Sequence, residues 1–337
     1  MPSAKRPAAV PNLAEASGQE FPPAILILGP TASGKSALAM EIARVLPVEV
    51  ISVDSGQIYR GMDIGTAKPG PAERAAVPHH LLDILEPHES YSAGRFRDDA
   101  QALMREISER GRIPLLAGGT MLYFKALLEG LNELPQADPA LRLVLDAMAA
   151  ESGGWPEMHR RLAQVDPETA ARLAPGDAQR IQRAMEVFHL TGRPMSELLK
   201  KPKYVYLPYR MIRIALLPAS REELHARIAR RFEDMLELGL IGEVRRLREQ
   251  YGLESDTPSM RCVGYRQTWA YLEGKYDLGA LREKGVAATR QLAKRQLTWL
   301  RAMDGLMAFD CLDPALAQRV MEFLGTELGA GAARAAR

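Results

Sequence analysis

The first 120 residues alternate between short apolar runs of strand length and amphipathic stretches of helical length. Ala24–Leu28 and Ile113–Ala117 are apolar, and Val48–Val53 is rich in β-branched residues, so all three predict buried strands. Lys35–Leu46 and Phe96–Arg110 lie between them and predict helices. Because strands that alternate with helices usually pair in parallel, this pattern predicts βαβ units and a parallel sheet.

From about residue 130 the pattern becomes mainly helical. Asp138–Ala150 begins with Asp-Pro, and Ala178–Leu190 follows Pro-Gly-Asp and precedes Thr-Gly, so both carry helix boundary signals. Helices are also predicted over Met121–Leu128 and Thr289–Ala302. Met211–Leu217 is strand-like and is expected to return the chain to the sheet. The helices between these strands therefore predict an insertion within an α/β core.

Composition and charge exclude several classes of protein. Apolar residues make up 47% and charged residues 26% of the 337 residues, as in a globular protein with a large domain and an insertion or second domain. No apolar run reaches the roughly 20 residues that span a bilayer, and no secretory signal is recognisable. Cys262 and Cys311 form no CxxC pair, so we expect neither disulfides nor a cysteine zinc site, and a cytoplasmic location.

The segment Gly29–Ser36 carries the strongest chemical signal. It reads Gly-Pro-Thr-Ala-Ser-Gly-Lys-Ser and fits the G-x-x-x-x-G-K-[ST] motif between a predicted strand and helix. The backbone N–H groups of such a loop, together with the helix N-terminus, bind a diphosphate. Lys35 adds a positive charge, and the Ser36 hydroxyl can reach a Mg²⁺ ion. The third predicted strand, Ile113–Ala117, is not followed by the acid that NTPases use to bind magnesium. This absence disfavours an ATP-hydrolysing motor, but it is compatible with a small kinase.

Two polar residues follow predicted strands at the edge where the phosphate loop lies. Asp54 comes directly after the second strand, and ligands of open α/β sheets bind at the carboxyl ends of the strands. A carboxylate there can accept a proton from an attacking group, although a turn or capping role is the common alternative. Thr120 follows the third strand and can bind phosphate or acceptor, cap the next helix, or do both.

These features together predict an α/β fold, a P-loop NTPase-like parallel sheet flanked by helices, with a helical insertion domain. We expect the catalytic core over 23–130 and 206–325 and the insertion over 131–205. Residues 1–22 are predicted to form a disordered tail, and 326–337 a flexible tail or a fraying helix end.

A basic stripe marks the predicted helix near residue 300. Arg290, Lys294 and Arg301 follow helical spacing, with Arg295 alongside, and the stretch 289–301 contains no acid. The opposite, apolar face consists of Ala293, Leu297 and Leu300. Such a helix can pack on the core and present its cations to phosphates, although a solvated charged face is the usual alternative.

A second basic patch is formed by Arg180 and Arg183, which lie three residues apart on a predicted helix. By contrast, Leu224–Arg248 mixes charges of both signs and indicates ordinary amphipathic packing. The six histidines show no metal-binding spacing and are interpreted as structural.

Several segments resemble the tRNA dimethylallyltransferase family. Besides the loop at 29–36, the similar segments are 54–63, 65–69, 79–83, 118–120, 177–184, 261–266 and 289–296. They occur in order between residue 24 and about residue 310, so the resemblance extends over nearly the whole folded chain. Met121 departs from the pattern, because the family often has glycine after Gly-Gly-Thr.

The resemblance implies transfer of a dimethylallyl group from dimethylallyl diphosphate to tRNA, with release of diphosphate. The acceptor would be the N6 amine of the adenine immediately downstream of the anticodon, in tRNAs that read codons beginning with U. The resemblance also implies Mg²⁺, which Ser36 would bind, and the tRNA anticodon stem-loop as partner. We expect a monomer with no membrane association.

The resemblance also assigns site residues, with Asp54 as general base and Thr120 as a second catalytic residue. The expected diphosphate-binding residues are Gly29, Thr31, Ala32, Ser33, Gly34, Lys35, Ser36 and Arg231. Those expected to contact tRNA are Asp54, Ser55, Gly56, Gln57, Thr120, Arg142, Gln179, Arg180, Ile181, Gln182, Arg183, Arg261, Cys262, Val263, Gly264, Tyr265, Arg266, Lys294, Arg295, Gln296, Leu297, Thr298, Trp299, Leu300 and Arg301.

Three other functions fit parts of the sequence. A related prenyltransferase could act on free AMP, although the insertion and two basic patches exceed what a mononucleotide needs. A P-loop small-molecule kinase would need ATP and no tRNA surface. A non-catalytic RNA-binding NTPase switch would also bind ATP.

Overall fold

The computed structural model describes residues 21–201 and 205–335, with side chains up to residue 329. Its sheet has six parallel strands in the order β3-β2-β4-β1-β5-β6, which confirms the predicted parallel sheet. The strands are β1 (Pro23–Leu28), β2 (Val48–Val53), β3 (His79–His80), β4 (Ile113–Gly118), β5 (Arg210–Leu217) and β6 (Met307–Asp310). The pattern did not predict β3 and β6, because two and four residues are too short for a periodic signal.

Helices follow the strands and fill the insertion. Those before residue 130 are α1 (Lys35–Val45), α2 (Pro71–Ala76), α3 (Ala93–Glu109) and α4 (Met121–Glu129). The next are α5 (Pro139–Glu151), α6 (Trp155–Val165), α7 (Pro167–Arg172), α8 (Ala178–Thr191) and α9 (Met195–Leu199). The last are α10 (Arg221–Glu237), α11 (Leu240–Tyr251), α12 (Tyr265–Leu272), α13 (Leu278–Ala302) and α14 (Leu316–Ala335).

The central strand β1 is fully buried from Ala24 to Leu28, because helices cover both faces of the sheet. Alternate side chains of a strand point to opposite faces. Ile25 and Ile27 pack in one cluster with α1 and α14, and Leu26 packs in another with α3, α4 and α13. A third apolar cluster joins α10, α11, α12 and α13 to the segment after β2. This packing fixes the carboxyl ends of β1, β2 and β4, where the predicted site residues lie.

The insertion is a compact unit of its own from Glu129 to Tyr206, slightly longer at each end than the predicted 131–205. Its core is formed by Leu145, Met158, Leu162 and Ile181, which project from α5, α6 and α8. Asp138 and Asp177 cap α5 and α8 by accepting hydrogen bonds from Leu141 and Arg180, as the sequence signals predict.

The C-terminal segment is helical. Residues 326–335 continue α14, in agreement with the predicted alternative of a helix end. The Ala-rich sequence explains this, because alanine has the highest helix propensity and outweighs the interspersed glycines. The predicted tail at 1–22 lies almost wholly outside the described residues. Among the described helices, none has the length and apolar character that crossing a membrane requires.

Candidate active site

The loop from Gly29 to Ser36 turns sharply between β1 and α1. Gly34 has φ 82°, in the left-handed region that glycine adopts readily, and Ala32 has φ 63°. A Cβ atom on Gly29 would lie 2.6 Å from the Ser33 Oγ atom, so this position also requires glycine. The Ser33 hydroxyl is buried without a hydrogen-bond partner in the described residues. The glycines at positions 29 and 34 therefore allow the compact loop conformation that the motif predicts.

Lys35 begins α1 and folds back into the loop, where its Nζ atom donates a hydrogen bond to the Pro30 carbonyl at 2.7 Å. Burial, followed by the positive charge of Arg231, lowers the pKa of Lys35 to about 7, and Asp54 opposes the shift. A half-buried ammonium loses solvation that a nearby anion can replace. Lys35 is therefore a cation that a bound anion would stabilise.

Arg231 on α10 lies in the same cavity as Lys35. Burial lowers the pKa of its guanidinium, and the carboxylate of Asp54 opposes that effect. Arg231 donates no hydrogen bond to any residue that the structure describes, although a guanidinium carries five N–H donors. Two half-buried cations and free donors in one cavity form a site for an anionic ligand.

Asp54 follows β2 on the rim of this cavity. Its Oδ1 atom accepts hydrogen bonds from the backbone N–H groups of Gly56 at 2.8 Å and Gln57 at 3.3 Å. Its Oδ2 atom accepts none within the described parts of the chain. Thr120, which follows β4, accepts a hydrogen bond through Oγ1 from the Ser55 N–H at 3.0 Å. One carboxylate oxygen is therefore held in place while the other can accept a proton.

The side chain of Gln296 on α13 links two parts of the site. Its Oε1 atom accepts a hydrogen bond from the Thr31 N–H at 2.9 Å, and its Nε2 atom donates to the Gly119 carbonyl at 2.9 Å. The Thr31 N–H group is therefore occupied, which leaves the Thr31 hydroxyl as that residue's contribution to a ligand. Gln296 is also one of the residues that the resemblance assigns to tRNA contact, and that assignment stays a prediction.

Glu243 on α11 supports another part of the rim, and the sequence did not indicate it. Its buried carboxylate accepts hydrogen bonds from the N–H groups of Asp63, Ile64 and Gly65 at 3.1, 2.8 and 3.2 Å, and from the Tyr265 hydroxyl at 2.5 Å. The mixed charges of the segment 224–248 indicate only ordinary amphipathic packing. Its role depends on contacts between residues about 180 positions apart, which no local pattern reveals.

The cavity encloses about 660 Å³. Its polar walls come from the phosphate loop, from 54–57 and from 118–120, and Asp54 is the one acid among the described residues that line it. Its apolar walls include Ile228, Phe232, Met235, Leu292 and Trp299. A cavity with a polar anion-binding part and apolar walls suits a ligand that joins a diphosphate to a hydrocarbon group.

No group of three or more metal-binding side chains occurs among the residues described by the structure. Magnesium ions often take one or two protein ligands and complete their shell with substrate phosphates and water. The Ser36 hydroxyl is exposed at the start of α1 and lines the cavity. A single hydroxyl beside a diphosphate site fits such an ion, but these residues do not form a site that holds a metal alone.

The exposed face of α13 carries the predicted basic stripe. Arg290, Lys294, Arg295 and Arg301 are exposed, and none forms an ion pair with an acid in the described ranges. Thr298 and Trp299 are exposed on the same helix, and Trp299 also lines the cavity. Further exposed cations near the cavity are Arg261 and Arg266, which flank the half-buried Cys262 and Val263.

Four other residues that the resemblance assigns to tRNA contact have buried side chains. Leu297 and Leu300 belong to the core against the sheet, Tyr265 to the third apolar cluster, and Ile181 to the core of the insertion. The resemblance assigned whole segments, but only one face of a helix can meet a ligand. Gly264 is buried as well.

Within the insertion, the predicted tRNA-binding residues differ in their exposure. Arg142 and Arg183 form ion pairs with the buried carboxylate of Glu186 at 2.8 and 2.5 Å. These cations balance an internal charge, so they cannot be counted as free for phosphate. Arg180 is 73% exposed and Gln179 is also exposed, which makes them the more accessible pair. Gln182 donates a hydrogen bond to Asp146 at 2.7 Å.

The chain is similar to curated relatives over most of its length. A model of the IPP transferase family matches residues 57–303, and a model described as isopentenyl transferase matches residues 23–84. A tRNA dimethylallyltransferase from Nitrosospira multiformis is 62% identical over 304 residues, covering 90% of this chain and 94% of the relative. One from Aromatoleum aromaticum is 60% identical over 303 residues, covering 89% and 94%.

Solved structures give the same result and confirm the predicted P-loop NTPase-like fold. A full-length tRNA isopentenylpyrophosphate transferase from Bacillus halodurans has a TM-score of 0.68 and 37% identity, covering 94% of this chain and 98% of that one. A eukaryotic dimethylallyltransferase acting on tRNA has a TM-score of 0.76 and 27% identity, covering 92% and 80%. The chain therefore belongs to the tRNA dimethylallyltransferase family of prenyltransferases.

Proposed function

We propose that this protein transfers the dimethylallyl group of dimethylallyl diphosphate to the N6 amine of the adenine immediately downstream of the anticodon. The substrates would be tRNAs that read codons beginning with U. The observation that carries the proposal is the cavity that holds two half-buried cations and one carboxylate beside apolar walls. The cations suit a diphosphate, the apolar walls suit a prenyl group, and the carboxylate suits a base.

The donor diphosphate would bind at the loop 29–36. Its negative charge would stabilise the half-buried cations Lys35 and Arg231, and backbone N–H groups at the start of α1 would donate hydrogen bonds to its oxygens. The same groups stabilise the charge that develops when the diphosphate leaves. The dimethylallyl group would lie against the apolar walls, away from water.

Adenine's exocyclic amine is a weak nucleophile, because its lone pair is delocalised into the ring. In the proposed step the N6 atom bonds to C1 of the donor, the bond from C1 to the diphosphate oxygen breaks, and diphosphate leaves with the electron pair. The surplus N6 proton passes to Asp54, whose Oδ2 atom is not engaged by a described residue. Thr120, which holds Ser55 beside Asp54, would orient the acceptor at this rim.

A Mg²⁺ ion, when bound at Ser36 and the diphosphate, would neutralise part of the charge on the leaving group. The tRNA would contact the exposed cations of α13, with Arg261 and Arg266, and the exposed Gln179 and Arg180 of the insertion. The target base must leave its stack to enter the cavity, which costs a few kcal/mol and less in a loop than in a duplex. The free cysteines Cys262 and Cys311 fit a reducing compartment such as the cytoplasm.

A direct test supplies the protein with Mg²⁺, labelled dimethylallyl diphosphate and one acceptor at a time. We expect label in a tRNA that reads codons beginning with U, and none when the adenine downstream of the anticodon is replaced by guanine. Label in AMP would favour the mononucleotide prenyltransferase, and ATP hydrolysis without tRNA would favour a kinase or switch. Label at another position of the tRNA would contradict the proposed acceptor.

The first prediction concerns Asp54. Asp54→Asn retains the oxygen that accepts the Gly56 N–H but removes the proton acceptor, so single-turnover transfer should fall by roughly 10²–10⁴-fold. Binding of tRNA and of inorganic diphosphate should stay within about threefold, which serves as the control for folding. Near-normal transfer at saturating substrates would return Asp54 to a structural role.

The second prediction concerns the charge of Lys35. Because its pKa is about 7 in the free protein, Lys35 is mostly neutral near pH 8, and bound diphosphate should raise its pKa. Binding should therefore take up a proton, and donor affinity should weaken as pH rises from 7 to 9. Calorimetry in two buffers of different ionisation enthalpy measures the uptake. It should disappear in Lys35→Met and persist in Lys284→Met, which changes an exposed lysine of α13; equal uptake in both variants would contradict the assignment.

The third prediction concerns α13. Lys294→Gln combined with Arg301→Gln removes two exposed cations while keeping helix propensity. Each lost phosphate contact should make the slope of log K for tRNA against log salt shallower by roughly 0.7–0.9. The single-turnover rate at saturating tRNA should not change.

Arg44→Gln combined with Arg319→Gln is the matched control, because both arginines are about two-thirds exposed and pair with nearby acids. This control should keep the slope of the unmodified protein. Equal slopes in all three proteins would mean that the stripe on α13 is a solvated face, and Arg180 of the insertion would become the next candidate.

A further inference from the structure

Gln296 lies on the face of α13 opposite its exposed cations. Its side chain is 8% exposed and makes two hydrogen bonds of 2.9 Å, accepting from the Thr31 N–H and donating to the Gly119 carbonyl. Both partners belong to the walls of the cavity but to different segments of the chain. A single buried amide therefore joins the phosphate loop after β1 to the end of β4.

The backbone at residue 119 is matched to this amide. A Cβ atom on Gly119 would lie 2.4 Å from the Gln296 Nε2 atom, whereas its next contacts would be at 3.5 Å. The φ of Gly119 lies outside the left-handed region, so the backbone does not itself require glycine. The close approach of the Gln296 amide explains why residue 119 is glycine.

The two partners lead to opposite ends of the proposed reaction. Thr31 belongs to the loop that would hold the diphosphate. Gly119 precedes Thr120, whose Oγ1 atom accepts the Ser55 N–H next to Asp54. Thr120 also donates its own N–H to the Val53 carbonyl at 3.1 Å. Gln296 thus spans the distance between the leaving-group site and the rim that carries the base.

We propose that Gln296 is a positioning residue that sets the separation between the diphosphate loop and the Asp54 rim. This inference rests on the proposed function. Transfer requires the amine, C1 and the leaving oxygen to lie in one arrangement, and a displacement of about 1 Å can cost roughly 10²-fold in rate. Gln296 would therefore act on the rate of transfer from bound substrates more than on the binding of either substrate.

The test is a double-mutant cycle with two independent perturbations of one contact. Gln296→Met keeps side-chain length and helix propensity but makes neither hydrogen bond. Gly119→Ala does not change residue 296, but the added Cβ atom displaces the amide of the Gln296 side chain. Each variant should lower the single-turnover rate at saturating tRNA and dimethylallyl diphosphate by about 10–100-fold. The dissociation constants of tRNA and inorganic diphosphate should change by less than about threefold.

The combination is the decisive measurement. Once Gln296→Met has removed the amide, Gly119→Ala has none to displace, so the double variant should be no slower than Gln296→Met alone within about twofold. Gln318→Met is the matched control, because it removes an exposed hydrogen bond to Glu322 on α14 and should keep the full rate.

Multiplying effects in the double variant, or full rates in both single variants, would overturn the proposal. The proposal would also be overturned if a lower stoichiometry of diphosphate binding explained the slower transfer entirely, since that result indicates unfolding. If the unmodified protein transfers no dimethylallyl group to tRNA, the proposed function itself fails, and that outcome is visible before any variant is compared.

Discussion

The half-buried charges of Lys35 and Arg231 are the constraint on which the rest of the site depends. A cation that is partly removed from water loses solvation unless an anion or strong acceptors replace it. Here Asp54 is the one acid among the described residues lining the cavity, and the pKa values of both cations are lowered by burial. The site is therefore prepared for an anion that the chain does not supply, and a diphosphate fits that requirement.

Holding such a site open requires support from elements that are distant in sequence. Gln296 fixes the phosphate loop against the end of β4, and Glu243 holds the N–H groups of residues 63–65 and the Tyr265 hydroxyl. Both supports are buried polar side chains with several hydrogen bonds, an arrangement that gives rigidity when every group is satisfied. The helix that carries Gln296 inside also carries the exposed cations outside, so one element serves the cavity and the proposed tRNA surface.

Much of this could be predicted from the sequence, because the signals are local. The strand and helix patterns around residues 24–53, the loop motif and the cap residues Asp138 and Asp177 each depend on neighbours a few positions away. The apolar face of α13 with Leu297 and Leu300 could be predicted from helical spacing, and both residues pack in the core. The inward direction of Gln296 could not, since family segments were carried over as whole stretches without regard to helix faces. The role of Glu243 could not be predicted, because it depends on backbone groups about 180 residues away.

The central claim is that diphosphate and acceptor amine meet in this one cavity, between Asp54 and the half-buried cations Lys35 and Arg231. A structure with tRNA and a non-hydrolysable thio analogue of dimethylallyl diphosphate tests it most directly. The account predicts the diphosphate within hydrogen-bond distance of both Lys35 and Arg231, and the N6 atom within about 3.2 Å of the Asp54 Oδ2 atom. A diphosphate bound elsewhere, or an amine turned away from Asp54, would contradict it.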